Sequence, residues 1–140
     1  MSSFKIFDIA GSGMAAQSVR LNTVASNLAN AESVSGDPNT AYKARHPVFE
    51  AVRAGVAANQ LGQSGVAVRI KGIVENQAPA EARYEPGNPL ANTDGYVYAP
   101  NVNSVEEMVD MISASRAYQN NVEVMNTSRD MLLATLKLGQ

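Results

Sequence analysis

Near the C-terminal end of the chain, seam residues recur on alternating three- and four-residue steps: Met108, Met111, Ser115, Tyr118, Val122, Met125, Arg129, Leu132 and Leu136. That is an a/d pattern held over four heptads, with Ser115 and Arg129 as its polar members. Ser104-Val105-Glu106-Glu107 has the spacing of a capping box, which predicts that the Ser104 hydroxyl and the Glu107 carboxylate exchange bonds with the first-turn amides. Lys137 suits the carbonyl end of a helix, and Gly139 stands where the C′ residue belongs. The spacing therefore predicts a helix over 105–138. A helix of that length with one narrow apolar seam needs a partner helix.

The matching pattern lies at the other end of the chain. Phe7, Met14, Leu21 and Leu28 are spaced by seven, with Ala10, Gln17, Val24 and Ala31 between them, and Ser2-Ser3 can cap a helix that runs to about residue 31. Gly11 and Gly13 weaken this helix by about 1 kcal/mol each relative to alanine, which predicts fraying in the free monomer and ordering on assembly. Side-chain amides crowd both ends: Gln17, Asn22, Asn27 and Asn30 in the first helix, and Gln119, Asn120, Asn121 and Asn126 in the last. Singly each suits a solvated face. Together they can bond between packed helices and enforce register.

Between the helices the period changes. Residues 32–46 read as a turn-rich and then extended connector, with Gly36 and Asp37-Pro38 as breakers. Residues 47–53 read as a strand, followed by a Gly/Ala/Gln-rich loop to Gly65. In 66–74, Val66, Val68, Ile70 and Val74 alternate with Arg69 and Lys71, the mark of a half-buried strand. Shorter strands follow at 82–85 and 96–98, separated by Pro86-Gly87-Asn88-Pro89 and Asp94-Gly95 turn chemistry. The expected fold is α+β: long terminal helices paired as a coiled coil (1–31 with 104–140), a connector (32–46) and a small β domain (47–103) inserted between them.

Several classes of function are disfavoured. A formal net charge of −2 with scattered Lys and Arg gives no footprint for nucleic acid, and no run of residues approaches the length of an apolar membrane span. Asp8 interrupts the short apolar start, so a cleaved signal peptide is not expected. With no cysteine and one histidine, His46, an ordinary zinc site or thiol nucleophile has no ligand set, and His46 reads as a surface or connector residue. Glu106, Glu107 and Asp110 suit the positive end of the last helix better than paired-carboxylate catalysis. Gly11-Ser12-Gly13 lacks the spacing and lysine of a phosphate loop. Neither an active site nor a cofactor or small-molecule substrate is expected. Arg116 has no i,i+4 acid on its own helix and is the candidate for a bond to a neighbouring chain.

Ala25-Ser26-Asn27-Leu28-Ala29-Asn30-Ala31 resembles the N-terminal signature of the flagellar axial proteins, the rod and hook family. Ser33 stands where that pattern usually has threonine, keeping the hydroxyl and losing the methyl. Phe7-Asp8-Ile9-Ala10-Gly11-Ser12, the block from Tyr84 to Val102 and Ser113-Ala114-Ser115-Arg116-Ala117-Tyr118-Gln119 are similar to the proximal-rod members in particular. The likeness spans essentially the whole chain and is weakest over 54–65. It implies a structural subunit whose terminal helices polymerise helically into a torque-transmitting rod in the periplasm. It also implies export through the flagellar type III apparatus without a cleaved signal. The partners implied are further copies of the chain, other rod proteins and the base of the membrane (MS) ring. Phe7, Met14, Leu21, Asn27, Leu28 and Asn30 would form the assembly seam of the first helix. Met108, Met111, Arg116, Tyr118, Gln119, Val122, Met125, Leu132 and Leu136 would form that of the last. Alternatives are another axial subunit of rod or hook, or a cytoplasmic helical adaptor or chaperone.

Overall fold

A computed structural model describes residues 3–53 and 65–138. Helix α1 (Ser3–Asn30) is followed by strands β1 (Arg45–Arg53), β2 (Val66–Glu75), β3 (Glu81–Tyr84) and β4 (Tyr96–Ala99), and the chain closes with helix α2 (Ser104–Leu138). The architecture is α+β, with two helices and two separate antiparallel hairpins, β1–β2 and β3–β4. At 28 and 35 residues, the helices are about 42 and 52 Å long. The proposed cap at Ser2, the C′ glycine Gly139 and most of the loop before Gly65 lie outside the described residues.

Helix α1 is the centre of the molecule. It packs along α2 on one side and against the β1–β2 hairpin on another, while α2 touches no other named element. Contacts between the helices pair rising numbers on one with falling numbers on the other. Asn27 meets Glu107, Arg20 meets Asp110, Gly13 lies against Asn121, and Ile6 shares a cavity with Ser128 and Leu132. The helices are therefore antiparallel. Both glycines sit inside continuous helix. An ideal Cβ on Gly13 would come within 2.9 Å of the Asn121 amide, whereas one on Gly11 would meet nothing within 4 Å.

The helix ends show which local signals act. Asn103, not Ser104, caps α2: its side-chain oxygen accepts from the amides of Val105 (3.1 Å) and Glu106 (3.4 Å), and its carbonyl accepts from that of Glu107. The capping box expected at Ser104 and Glu107 does not form, because asparagine one residue earlier satisfies the same donors. At the other end of α1, the Ser33 hydroxyl donates to the Asn30 carbonyl at 2.7 Å, so one carbonyl left over at the helix end is satisfied.

The four strands fall close to their expected positions. β1 pairs with β2 in register from Arg45 opposite Glu75 to Arg53 opposite Val66, with one interruption. Phe49 faces Ile70 and Val48 faces Gly72, so Lys71 is an extra, bulged residue. The bulge breaks the period-two count, and the half-buried face expected of this strand is not formed: Val66, Val68 and Val74 are exposed, and of the four only Ile70 is half-buried. The β3–β4 hairpin is anchored at its base, where Ser35 of the connector bridges Tyr98 and where Val97, Ala99 and Pro100 are buried. Asn101 is a second fastening: it accepts from the Ala44 amide and donates to the carbonyls of Asn76 and Ala78.

Candidate assembly interface

The interior is made of small residues. Among the described residues, the buried apolar ones are Ala10, Ala16, Val24, Ala41, Ala44, Val97, Ala99 and Ala114. Small side chains let α1 and α2 approach closely, and so the larger apolar residues stand at the flanks or outside. Phe7, Met14, Leu21 and Leu28 of α1 are half-buried, as are Met111, Val122, Met125 and Leu132 of α2. Met108 (54%) and Leu136 (68%) are exposed, along with Val105, Val109, Ile112, Val124, Met131 and Leu133. Tyr118, Gln119 and Arg116 also face solvent.

Within one chain, the contact face of α2 is thus turned by one residue from the seam read in the sequence. Glu107, Ala114 and Ser128 are buried and Asn121 lies against Gly13, each one residue before the expected Met108, Ser115, Arg129 and Val122, while Met111, Ser115, Val122, Met125 and Leu132 are half-buried. The apolar stripe expected to close the helix pair is left facing outward over the first turns of α2.

One polar group sets the register of this arrangement. Asn27 is wholly buried (0%) and uses its full hydrogen-bonding capacity. Its amide nitrogen donates to the Arg45 carbonyl (2.8 Å) and to Glu107 Oε1 (2.9 Å). Its oxygen accepts from the Arg45 amide (2.9 Å) and the Tyr42 hydroxyl (3.0 Å). A single side chain thereby ties α1 to the connector, to the first residue of β1 and to α2. Seven residues earlier, Arg20 spans the same two helices through a 2.7 Å ion pair with Asp110.

Glu107 is the unusual partner. It is 5% exposed, and its second carboxyl oxygen is buried without a hydrogen-bond partner among the described residues. Loss of solvent pushes its carboxyl above the ordinary range. The Asn27 bond and the charge of His46 oppose that shift, whereas Asp110 and Glu106 add to it. His46 itself is exposed on β1, opposite Val74.

The other amides behave differently from Asn27. Asn30 and Asn121 donate back to carbonyls of their own helices, at Ser26 and Ala117. Asn22, Gln119, Asn120 and Asn126 are exposed. Of the expected inter-helix amides, Asn27 carries the bond, and Arg116 makes no ion pair among the described residues. Sequence reading missed Glu107, Tyr42, Arg45 and Asn101 as structural partners. The position of Asn27 inside the Ala25–Ala31 signature was the available signal for the first three.

No helix among the described residues is long and apolar enough to cross a membrane. Two family models match the helical ends of the chain: "Flagella basal body rod protein" over residues 7–36 and "Flagellar basal body rod FlgEFG protein C-terminal" over 93–138. The first covers the Asn27 signature, and the second covers β4 and α2. Among curated proteins, the flagellar basal-body rod protein FlgC of Salmonella typhimurium is 52% identical over 140 residues, covering all of both chains. FlgC of Yersinia enterocolitica is 51% identical over the same full length. FlgC of Aquifex aeolicus is 42% identical over 138 residues, spanning 98% of this chain and 97% of its own. With its signature asparagine at the junction of both helices and its full length matched by these relatives, the chain belongs to the FlgC family of flagellar basal-body rod proteins.

Proposed function

We propose that the chain is a non-enzymatic structural subunit of the proximal rod that polymerises helically through α1 and α2. The observation that carries this reading is the inverted distribution of apolar side chains. Among the described residues, the large aliphatic and aromatic side chains are absent from the buried set, whose apolar members are chiefly alanine and valine, while Met108, Val109, Ile112, Met131, Leu133 and Leu136 are exposed along one 35-residue helix. An apolar surface of this extent is unusual on a solitary soluble chain and fits burial against neighbours. In this reading α1 and α2 form one coiled-coil assembly unit, and the segment between them projects as a separate β domain. The residues from Phe7 to Asn30 and from Met108 to Leu136 named above supply the inter-subunit seams, with Arg116 bonding to an adjacent chain. The partners are further copies of the chain, other rod proteins, the membrane-ring base and, before assembly, the type III export apparatus. Rigidity for transmitting torque across the periplasm then comes from many packed faces in fixed register.

The test is a clean deletion scored by swimming and by the appearance of hook protein outside the membrane. Cells that keep the membrane ring and lose rod, hook and motility support an essential rod layer. Cells that still build hooks and swim contradict it.

A further inference from the structure

The β3–β4 hairpin touches none of the other named elements of its own chain. Its base is held by Ser35 and Asn101 and the backbone at Leu90 lies against Gly36 of the connector, but the side chains of Tyr84 (65%), Leu90 and Tyr96 are left as an exposed apolar cluster. The two tyrosine rings meet edge to face with centroids 5.2 Å apart. This tip is internally braced. Asn92 accepts from the amides of Asp94 and Tyr96, the Glu85 amide donates to the Gly95 carbonyl, and Gly95 adopts φ +79° beneath Tyr84. Around the cluster stand the acids Glu85 and Asp94, while the single base of the hairpin, Arg83, is paired with Glu81 near its foot.

The β1–β2 hairpin has the opposite character. Its bases Arg45, Arg53, Arg69 and Lys71 outnumber the acids Glu50 and Glu75. Both of those acids are taken, by Arg69 and Arg45, which leaves Arg53 and Lys71 without an ion pair among the described residues. Val48 and Val74 are exposed on one face near Lys71, Phe49 and Ile73 on the other, and Arg53 stands at the far end opposite Val66. Helix α1 packs on one face of this hairpin, and the other face is left open.

We infer that the acidic, aromatic β3–β4 tip of one subunit docks on the basic, apolar β1–β2 hairpin of a second copy. Tyr84, Leu90 and Tyr96 cover Val48 and Val74 on the face turned away from α1, while Glu85 and Asp94 face Lys71. Complementary charge sets the pairing and its register, and the apolar contact excludes water from it. Because the two surfaces differ, the contact is heterologous: every copy keeps a free tip and a free hairpin, so it propagates along a helical assembly instead of closing as a dimer. This inference rests on the self-assembly reading above and adds a second, outer contact to the helical one.

The absence of native cysteine makes the test direct. Chains carrying both Leu90→Cys and Val74→Cys are expressed in deletion cells, basal bodies are isolated, and a short bismaleimide is added. Cross-linked dimers and higher oligomers of the chain are expected. Asp94→Lys or Lys71→Glu, added to the reporter chain, should each lower the yield about tenfold, and the two together should restore it. Circular dichroism of each variant checks that its fold is retained. Incorporated subunits that give no cross-link, products that stop at the dimer, or a double reversal as poor as the singles would overturn the docking while leaving helical assembly standing. Basal bodies that do not contain the reporter-free chain at all would overturn the assembly reading, and this inference with it.

Discussion

Replacing Asn27 with alanine tests the structure at the point where it is most interdependent. The substitution strands the Arg45 amide and carbonyl, the Tyr42 hydroxyl and one oxygen of Glu107. Tyr42 keeps a second partner in the Ser26 hydroxyl at 3.2 Å, so three groups lose compensation. Each buried group left unpaired costs about 1–3 kcal/mol, and water entering the new space recovers part of that. A loss of about 3–5 kcal/mol is expected, against a total stability for a domain of roughly 5–15 kcal/mol. Urea unfolding followed by far-UV circular dichroism reads it as a lower midpoint at unchanged slope. Asn27→Asp sharpens the test. Aspartate keeps both bonds accepted by Oδ1 but turns an oxygen towards Glu107, so it destabilises at neutral pH and recovers in acid. Adding Glu107→Gln returns a donor to the pair and should restore part of the loss, a coupling of about 0.5–3 kcal/mol. An Asn27→Ala chain within about 0.5 kcal/mol of wild type would refute the hub. So would Asn27→Asp losses that do not change when Glu107 becomes glutamine.

Further expectations follow from individual contacts. The raised pKa of Glu107 means that the native state holds its proton more tightly than the unfolded chain. The stability gained from that group is therefore complete below the ordinary value of 4.5 and is lost as pH rises through the higher native value. Glu107→Gln should flatten this part of the stability–pH curve, and an unchanged curve would show that the carboxyl does not titrate there. Gly11→Ala has open space and should raise helix stability by about 1 kcal/mol. At Gly13 the added methyl meets Asn121, and thermal unfolding should show the gain reduced or reversed. Leu21→Asp or Tyr118→Asp should abolish rod assembly and swimming, whereas Glu81→Lys, on the exposed β3 strand, should be tolerated. Normal swimming in the first two would count against the helical seam.

Much of the architecture was legible because long periodic runs and turn clusters are local signals. Both helices and all four strands could be placed from them. The phase of the helix contact was not, for a definite reason. Heptad reading assigns the largest apolar residues to the contact, but α1 and α2 meet through Ala10, Gly13, Ala114 and Ser128, and close approach of these small faces turns Met108 and Leu136 outward. Glu107 was misassigned because S-x-x-E is a complete local explanation for a glutamate. Its actual partner lies 80 residues away and is invisible to any window on the helix. The Lys71 bulge escaped for the related reason that register belongs to two strands, and alternation in one does not report it.

The same facts bear on how such a chain divides specificity from stability. Burying alanine yields little hydrophobic free energy compared with the roughly 1.5–3 kcal/mol available from each fully buried Leu, Ile, Phe or Met. The single chain therefore leaves most of its large apolar residues unused, and its geometry is fixed instead by polar contacts that tolerate one arrangement only. Asn27 with Glu107, Arg20 with Asp110 and Asn101 with Ala44 define which helix face meets which, and where the connector and hairpins attach. The first two of these fastenings lie on the half of α1 nearest the connector. At the opposite end, Ile6 meets Ser128 and Leu132 around a cavity of about 210 Å³, with Gly11 and Gly13 in the turns between. Stability along α1 should accordingly fall from the Asn27 end towards the N-terminus, since local opening is easiest where buried contacts are fewest. In the proposed assembly, neighbours packing on Met108, Ile112 and Leu136 would supply what the isolated chain lacks. The polar contacts would ensure that each arriving subunit presents those residues in the same register.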